Sequence, residues 1–176
     1  MSFELSVIFS EIISTIWFVL PLYIANASLV VIWYFQTKGT WKLKKNKNFL
    51  ADIDRIISKK YFGEHKTYLG IVIIISIMLL ISFIQGRGIF LGLVLGIGMI
   101  FGILANSFIK RRIKLKSGGM LPVLDQTDFI LGAQLAYFIV FGQLFPNFLF
   151  IFALTLIAHP LSCIAGYLLR LKEHWW

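Results

Sequence analysis

Between Ser107 and Asp128 the chain reads Ser-Phe-Ile-Lys-Arg-Arg, then a polar loop with Lys116 and two glycines, then Asp-Gln-Thr-Asp. On a helix Ser107, Lys110 and Arg111 stand at i, i+3 and i+4 and share one face. Arginine grips phosphate through a planar bidentate fork, and lysine acts as a compact point charge. Asp125 and Asp128, three apart at the start of the next helix, also share a face and suit a hard cation such as Mg2+, which takes oxygen ligands. Apolar segments flank both halves, so cations and carboxylates meet where lipid headgroups meet water. Such a mouth can hold a nucleoside triphosphate, a divalent metal and a phospholipid together. Each half also has a plainer reading. Carboxylates near a helix N-terminus are favoured by its dipole, and basic residues collect at the cytoplasmic exits of spanning helices.

The elements that must position these residues are membrane helices. The chain has 176 residues, is 59% hydrophobic and only 14% charged, and has a mean hydropathy of +0.84. That is too apolar for an ordinary soluble domain. Uncharged runs of 26, 20, 22 and 41 residues lie between Glu11 and Lys38, Lys66 and Arg87, Arg87 and Lys110, and Asp128 and Arg170. A spanning helix needs about 20 mostly apolar residues, and the last run is divided by Pro146-Asn147. The pattern predicts an all-α integral membrane protein: one domain, 1–176, with five transmembrane helices at about 12–35, 68–84, 88–109, 129–144 and 148–169, and loops at 36–67 and 110–128. Of 17 Lys and Arg, nine fall between Lys38 and Lys66, five between Lys110 and Lys116, and two at Arg170 and Lys172, leaving only Arg87 on the other side. By the basic-residue rule both long loops and the C-terminus are cytoplasmic and the N-terminus is outside. The net charge of +9 is thus an orientation signal with attraction to anionic headgroups, not a sign of nucleic-acid binding. Glu4 and Glu11 precede the first apolar run where a cleavable signal would be basic. The expected location is the cell membrane, multi-pass, with the Ser107–Asp128 mouth facing the cytoplasm.

Other polar points have structural explanations. Pro21 should interrupt the first helix, whose Asn26 needs a partner within the bundle. The loop before the second helix is basic and amphipathic, with Phe49, Ile53, Ile56, Ile57 and Tyr61 near a helical period, predicting a short helix on the membrane surface. Gly88, Gly92, Gly96, Gly98 and Gly102 give the third helix small faces that serve the bundle or a homodimer equally well. His159, beside Pro160, is expected to bond a carbonyl that the proline leaves unpaired. The lone Cys163 excludes an intramolecular disulfide, and Trp175-Trp176 fits interfacial anchoring.

Several segments resemble the CDP-archaeol synthases, membrane CTP:lipid-phosphate cytidylyltransferases related to the CDP-diacylglycerol synthases. They are Leu20-Pro-Leu-Tyr-Ile-Ala-Asn26-Ala, Phe62-Gly-Glu-His-Lys-Thr67, Gly102 through Ser107-Phe-Ile-Lys-Arg-Arg-Ile113, Lys116-Ser-Gly, and Leu124-Asp-Gln-Thr-Asp-Phe-Ile-Leu-Gly-Ala133. Together they cover nearly the whole chain in the same order. The resemblance implies attack by a glycerol-lipid phosphate, of an isoprenoid ether lipid, on the α-phosphate of CTP, with Mg2+ as cofactor. It implies phosphate-holding roles for Lys110 and Arg111, metal ligation by Asp125 with Asp128, and a substrate pocket lined by Asn26, Lys66, Thr67, Ser107 and Arg112. Two positions depart from the family pattern. Ile103 stands where an Asp usually follows the glycine, and Leu69 where an Arg is usual. These departures motivate an alternative, a non-catalytic homologue that binds a lipid phosphate or a membrane partner.

Overall fold

In a computed structural model of the chain, residues 2–37, 53–115 and 119–171 are described. The basic run Lys42–Lys47, Phe49, Lys116 and the terminal tryptophans lie outside them. Among the described residues the helices are α1 (Ser2–Thr37), α2 (Lys59–Phe62), α3 (Tyr68–Ile84), α4 (Ile89–Arg112), α5 (Leu124–Phe141) and α6 (Phe148–Leu168). The only non-helical pairing among them is an isolated antiparallel bridge between Ile56 and Thr67.

Each of the five apolar runs forms a helix. Glu4–Ile32, Ile89–Arg112 and Phe148–Leu168 are long and apolar enough to cross a membrane, whereas Tyr68–Ile84 is a shorter apolar helix. Large apolar side chains also face outward, with Leu149 80%, Ile139 72% and Phe83 67% exposed. A folded chain that buries Thr15, Thr127 and Thr155 while presenting such side chains to its surroundings is built for hydrocarbon solvent. This is an all-α membrane protein.

Pro21 does not interrupt α1, which runs through it. Proline lacks the N–H that would bond the carbonyl four residues earlier, and the side-chain amide of Gln85 donates to that Trp17 carbonyl instead, at 2.5 Å. The neighbouring Gly86 and Gly88 take positive φ values of 70° and 82°, which turn the chain tightly from α3 into α4. The core holds Val19 and Leu22 from α1, Met78 from α3, Leu95 and Met99 from α4, Phe129 and Ile130 from α5 and Ile151 from α6. Tyr23 is 2.6 Å from the Thr155 hydroxyl, whose own hydrogen goes to the Ile151 carbonyl, so tyrosine is the donor that ties α1 to α6.

The closest packing joins α4 to α5. A Cβ on Gly98 would lie 2.6 Å from the Gly132 carbonyl oxygen, and one on Gly102 would collide with the Asp128 carbonyl oxygen. Gly92 meets α3 in the same way, 2.6 Å from the Met78 carbonyl oxygen. These glycines are therefore spent inside the bundle, drawing backbones together as small residues do in membranes. One consequence is local: Asp128 is held one turn above Gly132, directly against α4.

Two further expectations change. The amphipathic helix through Phe49–Tyr61 is not continuous, because residues 54–58 are not helical and Ile56 pairs with Thr67; only Lys59–Phe62 is helical in the later part. His159 does not bond a freed carbonyl; its Nδ1 lies 3.7 Å from the buried Cys163 sulfur.

Candidate active site

A cavity of about 270 Å³ opens where α4 leaves the bundle and α5 begins. Its wall includes Asn26 and Leu29 from α1, Phe62 from α2, His65 and Lys66 from the loop before α3, Ile103, Asn106, Ser107, Lys110 and Arg111 from α4, and Asp125 and Asp128 from α5. The lining thus gathers Asn26, Lys66, Ser107, Lys110, Arg111, Asp125 and Asp128, seven of the residues singled out in the sequence. Thr67 and Arg112 lie outside it. Thr67 is committed as the N-cap of α3, accepting from the Gly70 N–H at 3.3 Å. Arg112 points to the exposed side of α4, 4.8 Å above the Phe108 ring.

Each side chain has a local reason for its place. Lys66 is fixed by the bridge that closes its loop: Ile57 N–H donates to the Lys66 carbonyl at 2.9 Å, and Tyr68 N–H donates to the Arg55 carbonyl at 3.1 Å. α2 lies against α4, with Tyr61 stacked on Phe108 at 6.4 Å between centroids. Gly63 sits over the Arg111 guanidinium, at a φ of 86° that suits glycine, and its Cβ would be 3.9 Å from that group. The start of α5 is set by a turn at Pro122–Leu124. Leu124 N–H donates to the Pro122 carbonyl at 2.7 Å around Val123, which has φ 66° and ψ −56°. That is the strained kind of γ-turn, and β-branched valine is poorly suited to it.

The polar network is dense. Lys110 Nζ lies 2.5 Å and 2.6 Å from the two Asp125 oxygens and donates to the Gly119 carbonyl at 2.9 Å. Asp125 also accepts the Leu121 N–H at 2.8 Å. Asp128 accepts the Phe129 N–H at 2.7 Å. Ser107 donates to the Ile103 carbonyl at 2.9 Å and lines the cavity. Lys66 has lost much of its hydration, which pulls its ammonium below the ordinary lysine value; Asp128 opposes that shift, Lys110 adds to it, and Asp125 opposes it again. Three basic side chains, Lys66, Lys110 and Arg111, face two carboxylates here, so the cations outnumber the carboxylates and the cavity favours an anion.

Between the carboxylates stands Asn106, which was not among the residues selected from the sequence. Its amide nitrogen donates to Asp125 at 2.8 Å and to Asp128 at 2.7 Å. Its carbonyl oxygen is buried and has no hydrogen-bond partner. Asn106 precedes Lys110 by one helical turn, but in the sequence nothing sets this neutral amide apart from its neighbours. Two carboxylates and an amide oxygen are a donor set of the type a hard divalent cation accepts. Among the described residues no group of three or more His, Cys, Asp or Glu could hold a metal ion.

The family model for CarS-like CDP-archaeol synthases matches residues 8–176. The chain belongs to the CDP-archaeol synthase family. It is 35% identical to the CDP-archaeol synthase of Methanopyrus kandleri, over 92% of this chain and 91% of the relative. The Methanocaldococcus jannaschii enzyme of the same name is 30% identical over 93% of this chain and 96% of its own length. A third, from Methanococcus maripaludis strain C7, is 33% identical with the same coverage. No solved structure matches the chain significantly.

Proposed function

We propose that the protein is a CTP:lipid-phosphate cytidylyltransferase acting on an isoprenoid glycerol-ether lipid phosphate. An oxygen of the lipid phosphate attacks the α-phosphorus of CTP, the bond to the β-phosphate oxygen breaks, and pyrophosphate leaves. The product is a CDP-activated lipid. The observation that carries this reading is the convergence of Lys66, Lys110, Arg111, Asp125 and Asp128 on one cavity in a chain of this family.

The attacking phosphate is already anionic, so the chain has no nucleophile to supply and its task is positioning and charge neutralisation. Lys110 and Arg111 hold phosphate oxygens, and Lys66 adds a second point charge from the loop. Asn26 and Ser107 orient substrate by hydrogen bonds. Leu29 and Ile103 form the apolar part of the wall where lipid tails leave for the bilayer. Mg2+ would be held by Asp125 and Asp128, and when bound it offsets phosphate charge. The ion pair between Lys110 and Asp125 keeps both charges compensated, and substrate would compete for the lysine.

In this reading all five long helices cross the membrane, the N-terminus is outside, and the cavity opens to the cytoplasm of a multi-pass cell-membrane protein. Pyrophosphate release by the purified full chain tests the function, with CTP, Mg2+ and a panel of ether- and ester-linked lipid phosphates. Turnover with an ether-linked lipid supports the assignment, and silence across the panel beside an active family member removes it. One observation favours a second reading, a homologue that binds lipid phosphate without turnover: the cavity wall has buried, apolar Ile103 where the family usually has a carboxylate. That protein would bind the lipid phosphate in the same panel and release no pyrophosphate.

A further inference from the structure

The two carboxylates of the cavity are joined through a neutral side chain. Asn106 is only 5% exposed. Its orientation is fixed by chemistry, because ionised carboxylates only accept hydrogen bonds and must therefore face the amide nitrogen. With both nitrogen hydrogens given to Asp125 and Asp128, the oxygen is left as the unpartnered atom, and Asn106 lines the same cavity. A buried amide oxygen without a partner is costly; the Gln85 oxygen and the Gln134 nitrogen are left the same way, and what sets Asn106 apart is its place in the cavity wall between two carboxylates. The acidic groups present are a pair, so any further protein oxygen offered to a cation here must be neutral.

We propose that the Asn106 carbonyl oxygen is the third protein ligand of a divalent-cation site completed by Asp125 and Asp128. The amide nitrogen gathers the two carboxylates, and the oxygen is the donor atom it leaves unused. Two carboxylates with one neutral oxygen leave the remaining positions of an octahedral ion to water and substrate phosphate. The idea rests on the cytidylyltransferase reading for the identity of that substrate, but the cation site can be measured without turnover.

The probe is Mn2+, titrated into the purified full chain in detergent with and without CTP, and followed by loss of the free-ion paramagnetic resonance signal. Asn106→Ala is expected to weaken Mn2+ binding by about 10- to 100-fold, the range for loss of a group that supports or completes a metal site. Asn106→Asp keeps an oxygen at that place and should bind Mn2+ at least as tightly as the unmodified chain. If Asn106 served only to gather the carboxylates, Asn106→Asp would lose the donor, repel both neighbours and weaken Mn2+ as alanine does; that result overturns the ligand assignment. Equal Mn2+ affinity in Asn106→Ala, or no Mn2+ bound by the unmodified chain in either condition, also overturns it. Thermal unfolding is recorded alongside, and Asn106→Ser replaces the alanine variant if that one does not fold. Asn106-dependent Mn2+ binding without pyrophosphate release would leave this inference standing and remove the cytidylyltransferase reading.

Discussion

Two buried amides sit at opposite ends of the α4–α5 pair, and their surroundings differ. Gln134 is enclosed by the aromatic end of the bundle. Its oxygen accepts the Phe145 N–H at 2.9 Å, holding the turn into α6, while Phe18, Tyr137 and Phe145 pack edge to face nearby. Other polar groups at that end make similar local ties: Asn147 donates to Thr15 at 2.9 Å, Gln143 to Tyr137 at 3.1 Å, and Arg87 lies 4.6 Å above the Phe18 ring. Asn106 instead touches two carboxylates beside a cavity with three cations. The residue chemistry is the same at both ends. What differs is whether the polar groups close on backbone and rings or gather around an open space.

The largest effects should therefore separate the two ends. Lys110→Ala and Asp125→Asn are each expected to reduce pyrophosphate release by about 100-fold or more, the cost of removing one preorganised charge-stabilising group, with the melting temperature changed far less. Gln134→Leu should do the opposite. It leaves the Phe145 N–H buried without its acceptor, at a cost of about 1–3 kcal/mol of stability, while turnover per folded molecule is retained. Equal loss of turnover in all three would erase the distinction. A second test connects the ends through packing. Gly102→Ala would drive a methyl group into the Asp128 backbone, and overpacking of this kind costs about 1–3 kcal/mol. Because Asp128 itself must move, activity should fall further than stability, whereas Gly92→Ala, which meets α3, should lower stability with turnover per folded molecule kept. Paired melting curves and pyrophosphate assays decide it.

Much of this arrangement is legible in the sequence, for identifiable reasons. Charge-free length locates every long helix because lipid demands unbroken apolar runs, and α3 begins and ends where expected, at Tyr68 and Ile84. α6, at Phe148–Leu168, also falls where expected, whereas boundaries drawn at charges misplace ends of α1, α4 and α5. α1 begins at Ser2 although Glu4 and Glu11 are in its first turns, since exposed carboxylates are compatible with a helix N-terminus. α5 begins at Leu124, taking Asp125 and Asp128 into the helix, and ends where Gly142 turns left-handed at φ 69°. The i, i+3, i+4 reading of Ser107, Lys110 and Arg111 matches their common place on the cavity wall. Asn106 escaped because nothing local distinguishes it; its importance depends on α5 being brought against α4 by Gly98, Gly102 and Gly132. Lys66 was named from resemblance, and its loss of hydration depends on how the loop folds back through the Ile56–Thr67 bridge.

That loss of hydration gives a smaller, pH-dependent contrast. Lys66 has its folded pKa pulled below the ordinary value of 10.5, chiefly by burial. Between the lowered value and the ordinary one, the unfolded chain binds more protons than the folded chain, so this group makes stability rise with pH across that window. Phosphate affinity should move the other way, because a neutral lysine no longer attracts it. The KM for CTP is expected to climb on the alkaline side at a pH lower than an ordinary lysine would give, as melting temperature is supported. Lys66→Arg, which stays charged, should shift that alkaline rise upward; an unchanged KM profile would show that Lys66 does not meet the phosphates.

The smallest expected effect lies at the entry to α5. Val123 holds a positive φ that brings the Leu124 N–H onto the Pro122 carbonyl and starts the helix carrying both carboxylates. Strain of this type costs about 1–3 kcal/mol, and glycine adopts the conformation without a Cβ penalty. Glycine also gives the unfolded chain more freedom, which offsets about 0.4–1 kcal/mol of the relief. Val123→Gly should therefore raise stability by about 1 kcal/mol, read as a small increase in melting temperature. Turnover is the sharper readout. If the strained turn serves only to begin α5, the glycine variant keeps full activity. If valine stiffens the turn so that Asp125 stays within reach of Asn106 and Lys110, the same variant melts higher and turns over more slowly, and the strain belongs to the site, not to the fold.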